Sequence, residues 1–124
     1  MPVPDTRVIR ALLILEAAAF LMAASTHLGL LVGDFEHANA AKAESVIGLV
    51  LAVTAVMTWL RPEAVRIIGL MAQGFALLGT CVGLVTIAIG IGPRTVPDLI
   101  FHLCVATVLV LGLTMTAASR IEPV

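Results

Sequence analysis

The stretch Ala11–Gly33, ALLILEAAAFLMAASTHLGLLVG, constrains this chain most. It is 23 residues long, almost all apolar, and only Glu16 and His27 in it can ionise. A run of about 20 apolar residues, rising about 1.5 Å each, crosses a hydrocarbon layer of roughly 30 Å. The stretch therefore predicts a membrane-crossing helix. A carboxyl and an imidazole inside such a helix are costly, and so they mark candidate function. Eleven residues apart at about 100° each, they share one face, with Cα atoms roughly 16 Å apart along the axis.

Three more apolar runs follow. Together they predict one four-span transmembrane domain over residues 1–124, with helices at about 8–33, 43–60, 64–91 and 98–119. The runs are too long for barrel strands and lack polar alternation. Short connections make neighbouring helices antiparallel, so the expected fold is all-α, an integral-membrane bundle running up-down-up-down. Composition agrees: hydrophobic residues are 60% and charged ones 12%, against about 45–50% and about 25% in soluble domains. A net charge of −1 and the lack of a basic patch with interleaved aromatics exclude a nucleic-acid binder.

The first run resembles a signal peptide only in its flanks, Arg7, Arg10 and Ala23-Ala24-Ser25. It is longer than a typical apolar signal core and Glu16 interrupts it, so an uncleaved helix is expected. Arg61-Pro62-Glu63 reads as a tight turn, with Pro62 suited to the start of the third helix. Thr95 and Asp98 have the spacing of a capping box. Gly48-x-x-x-Ala52 and Gly79-x-x-x-Gly83 offer close helix approach. Ile89-Gly90-Ile91-Gly92 reads as a helix end, since no βαβ unit surrounds it. Cys81 and Cys104 lie in apolar runs without metal-type spacing. They read as buried small hydrophobes, with a redox pair as the alternative.

Arg7, Arg10, Arg61, Arg66 and Arg120 fall at one end of the bundle, Lys42 and Arg94 at the other. This bias places both termini in the cytoplasm, with Trp59 as an inner interfacial anchor. The chain looks like short bacterial four-span proteins, which implies the inner (plasma) membrane.

At the outer end, the expected helix limits put His27 roughly 9 Å and His102 about 7 Å inside the membrane. Glu44 lies slightly shallower, Asp98 one turn above His102, and Glu36 and His37 in the adjoining loop. Two imidazoles on neighbouring helices can ligate haem b iron, or a transition metal with Glu44 as carboxylate ligand. The leading expectation is thus a pocket of His27, Glu44 and His102, backed by Asp98, His37 and Glu36, that binds haem or a metal. A metal-free polar pocket for proton transfer or a small ligand stands beside it.

Toward the inner end Glu16 lies at the depth of Gln73, whose amide can hydrogen-bond it; Thr80 shares the Gln73 face. Glu16 in ALLILEAAA, with this length and four spans, resembles small multidrug-resistance transporters. That resemblance implies proton-coupled exchange at Glu16, and the match in depth, not the resemblance, puts Gln73 beside it. The aromatic-rich chamber of that family is not matched, since the chain has Trp59, four Phe and no Tyr. A third expectation is an assembly partner or accessory subunit, self-associating or part of a larger membrane complex. No nucleophile motif, phosphate-binding glycine loop or HExxH is present, so an enzyme is the less favoured expectation.

Overall fold

The computed structural model describes residues 5–119. Four helices make up the fold: α1 Thr6–His27, α2 Ala38–Leu60, α3 Val65–Ile89 and α4 Val96–Ala118, with a 3-10 turn at Pro62–Ala64. Each helical stretch is long and apolar enough to cross a membrane. Successive helices pack side by side, α1 also meets α4, and the α1–α3 diagonal is in contact. The result is the expected all-α four-helix bundle.

Buried positions follow the helical period. On α4 they are Asp98, His102, Val105, Leu109, Gly112 and Thr116, spaced alternately four and three. That stripe is the one facing neighbouring helices. Leu13, Leu51, Ala76 and Leu109, one from each helix, are fully enclosed at the centre. The outward faces carry Leu, Ile, Val and Met, including Met22, Leu49, Met71 and Leu111. Such a surface suits a lipid bilayer.

The first helix is shorter than its apolar run suggests. Gly29 adopts φ +73°, and its N–H donates to Thr26 O at 2.9 Å while Leu30 N–H donates to Ser25 O at 3.0 Å. This left-handed stop ends α1 at His27. Leu28–Gly33, expected as helix, is instead an apolar loop. Gly90, at φ +86°, ends α3 in the same way. The second helix starts earlier than expected, because His37 Nδ1 accepts the Ala40 N–H at 3.1 Å and caps it. The fourth takes in Pro97 in its first turn, where the missing N–H costs nothing.

Glycines stand at close contacts between helices. A Cβ on Gly48 would meet Leu21 of α1 at 2.8 Å, and one on Gly79 would meet Ile47 of α2 at 2.6 Å. Cys81 and Cys104 are free and face outward, correcting the expectation that they are buried. Their spans are apolar on every side, so hydropathy alone does not separate lipid-facing from inward positions.

At the end carrying the α2 and α4 C-termini, cations cap helices. Arg10 donates to the Thr58 hydroxyl at 3.1 Å and to the Thr58 carbonyl at 2.6 Å, and its guanidinium lies 4.9 Å from the Trp59 ring centre. Arg66 donates to Ala117 O at 2.9 Å. A cation on the last carbonyls also suits the helix dipole. Arg120 lies outside the described residues. Arg10→Met is expected to lower unfolding stability in detergent by about 1 kcal/mol, the worth of such a cap. An unchanged melt would mean that the cap contributes nothing.

Candidate functional site

The end of α1 sets the site. Because the helix stops at His27, that ring lies level with the first turn of α4, not the second. His27 Nε2 stands 2.9 Å from Asp98 Oδ1, and His27 Nδ1 stands 2.6 Å from Glu44 Oε2. One imidazole thus bridges carboxylates from two other helices, and all three side chains are more than nine-tenths buried. His27 sits at a helix C-terminus and Asp98 in a first turn, positions where the helix dipoles favour a cation and an anion respectively.

The capping box holds Asp98 in place. Asp98 N–H donates to Thr95 Oγ1 at 3.2 Å, and Thr95 N–H donates back to Asp98 Oδ2 at 3.3 Å. The Thr95 hydroxyl also donates to Asp98 Oδ2. Glu44 is less well served. Its Oε1 is buried with no hydrogen-bond partner among the described residues. The loop closes over the site: His37 N–H donates to His27 O at 2.9 Å, and the two rings meet edge-on with centres 6.4 Å apart. Glu36 turns back to Gly29, where its Oε1 would lie 2.8 Å from a Cβ.

His102 does not join this group through its ring. Its Nδ1 lies 2.8 Å from Asp98 O. A carbonyl only accepts, so Nδ1 carries the proton. The Nε2 side faces α3, where a Cβ on Gly83 would come within 2.6 Å. His102 is four residues beyond Asp98, about 6 Å deeper. The expected pairing of His27 with His102 is thus replaced by His27 with Asp98, because α1 ends six residues short of Gly33.

Proton bookkeeping limits the chemistry. Both His27 hydrogen bonds require two protons among the three groups. They can be an imidazolium between two carboxylates, or a neutral imidazole between the Asp98 carboxylate and a Glu44 carboxylic acid. Either way the triad carries one net negative charge. Among the described residues no Lys or Arg pairs with it. Neither His27 nitrogen can take up a metal or haem iron without giving up a carboxylate. Among the described residues no group of three or more His, Cys, Asp and Glu side chains is placed to hold a metal ion.

A cleft of about 420 Å³ reaches the triad between α1 and α4. Ala19, Met22, Ala23 and Phe101 form its apolar wall, and His27 and Asp98 its polar end. Met22 is well exposed, so the cleft opens on the outward, lipid-facing surface.

The second polar set is sealed. Gln73 Nε2 donates to both Glu16 carboxyl oxygens, at 3.1 and 3.2 Å. The Thr116 hydroxyl donates to Gln73 Oε1 at 2.8 Å. Glu16 is 1% exposed, and Gln73 and Thr116 are 0%. The structure therefore brings Glu16 and Gln73 together. Thr80 instead donates to Ala76 O at 2.8 Å within its own helix. Sequence reading missed Thr116 and Gly112. Their signal was the four- and three-residue spacing that puts both on the face of Leu109 and His102. In shape this set is a three-helix clasp, enclosed among the described residues.

No protein-family model, curated protein or solved structure matches this chain.

Proposed function

We propose that this small membrane protein holds and exchanges a proton at the Glu44–His27–Asp98 triad, serving acid–base chemistry on a small molecule that reaches it through the α1–α4 cleft. The observation that carries this reading is one buried imidazole with a carboxylate on each ring nitrogen. A proton can then pass between Glu44 Oε2 and His27 Nδ1 with little movement, while Asp98 orients the ring. The unpartnered Glu44 Oε1 supports the reading, since a buried carbonyl oxygen is less costly to leave unpaired than a carboxylate oxygen. Two further titratable groups adjoin the triad: His37, edge-on to His27, and His102, on the Asp98 carbonyl. By the basic-residue bias the triad lies on the outer side of the membrane.

Infrared difference spectroscopy of the protein in bilayers, titrated across about pH 4–10, tests this, a range that brackets free carboxyl and imidazole values. The expected result is a carboxylic-acid carbonyl band that titrates reversibly and disappears in Glu44→Gln, with the amide band unchanged. A band indifferent to Glu44→Gln and Asp98→Asn overturns the reading. So does a Soret band, or a stoichiometric metal, that is lost in His27→Ala and His102→Ala; that outcome restores haem or metal binding.

A further inference from the structure

We propose that the cleft between α1 and α4 binds a protonated lipophilic amine, with its ammonium on Asp98 and its chain against Ala19, Ala23 and Phe101. The proposal rests on the triad described above and names the class of molecule that meets it. Four observations converge. The volume, about 420 Å³, lies in the size range of small-molecule sites. The walls are apolar and open toward lipid, so an occupant arrives from the bilayer and needs a hydrocarbon body. The polar end carries one net negative charge whenever both His27 hydrogen bonds are made. In a medium of low dielectric that charge favours a cation over a neutral or anionic head.

The fourth observation is the acceptor capacity of Asp98. A carboxylate offers about four lone-pair positions. Asp98 uses three, one for His27 and two for the Thr95 N–H and O–H. The remaining position can take an ammonium N–H without displacing His27. The Thr95 cap holds the carboxylate in place before any ligand arrives, so little is lost in ordering it. Phe35, from the loop that follows α1, lines the cleft. Its loop is tied down by the His37–His27 backbone bond. That loop provides the cover over the head group, and Ala19 and Ala23, one turn apart on α1, leave the chain room.

The test uses the full chain in nanodiscs of zwitterionic lipid at pH 7, titrated with dodecylammonium, dodecanol and dodecanoate. Amide NMR shifts of Ala23 and Phe101 report occupancy. Saturable shifts are expected with dodecylammonium, at least about tenfold tighter than with dodecanol, and none with dodecanoate. Asp98→Asn is expected to remove that preference. Ala23→Phe, which fills the cleft and leaves the triad intact, is expected to abolish binding. Non-saturating shifts that are equal for the three head groups mean simple partitioning and overturn the proposal. Tight binding of dodecanoate, or binding that survives Ala23→Phe, overturns it as well. A titrating Glu44 band without ammonium binding sinks this site and leaves the proton reading standing. Ammonium binding without that band does the reverse.

Discussion

Gly112→Val is expected to destabilise the bundle by about 3 kcal/mol or more, as overpacking combined with a broken buried hydrogen-bond set. A Cβ at this position would stand 2.5 Å from Glu16 Oε1 and 2.6 Å from Gln73 Nε2. Neither atom has room to retreat, because Glu16 and Gln73 are enclosed and hold each other, and Thr116 holds Gln73 from α4. The substitution therefore either pushes α4 away from α1 and α3 or leaves a carboxyl unpaired in the interior. Gly74→Ala is the control: nothing lies within 4 Å of a Cβ there. It is expected to be neutral or to stabilise by up to about 1 kcal/mol, through helix propensity. Unfolding in detergent, followed by circular dichroism, measures both. If Gly112→Val melts with the wild type, the Glu16–Gln73–Thr116 clasp does not hold the helices together.

His27→Leu is expected to cost about 3–5 kcal/mol, the usual penalty for removing one member of a buried charged group. It leaves Glu44 and Asp98 without the imidazole that bridges them, and the triad is at most 8% exposed at any side chain. The triple variant His27→Leu, Glu44→Leu, Asp98→Asn removes the charges together and keeps an acceptor near Thr95. It is expected to recover most of the loss, because apolar packing replaces an ion pair at little cost. The same variant should lose the titrating carbonyl band completely. Stability regained together with a band retained would place the titrating group elsewhere. If the single substitution is harmless, His27 does not hold the two carboxylates.

Much of the fold was legible in the chain. The four apolar runs, the Arg61–Glu63 turn, the Thr95–Asp98 box and the glycine stop after α3 all stand where the sequence puts them. Local chemistry decides such features: turn residues, caps and run length act within a few residues. Two helix limits were misread for a related reason. Leu28–Gly33 is as apolar as a helix, but Gly29 turns left-handed and ends it. Residues 38–42 are more polar than the run they precede, yet His37 caps a helix there.

The candidate site was legible as a set of residues and not as a set of contacts. His27, Glu44, Asp98 and His102 do gather at one end. Their pairing depended on where α1 stops, since each residue of shift moves a side chain about 1.5 Å along the axis and about 100° around it. The same sensitivity hid Thr116 and Gly112, whose role arises only when three helices meet.

The sequence by itself determined that this protein has four helices suited to a membrane and a polar stripe inside them. Hydrocarbon demands that backbone hydrogen bonds close within each span, so length and hydropathy suffice for that conclusion. The tertiary structure alone decided that His27 meets Glu44 and Asp98 instead of His102, and that Thr116 joins the expected Glu16–Gln73 pair. Those pairings depend on helix ends, rotations and close approach at small residues. Several helices fix these features jointly, and no single stretch of the chain encodes them.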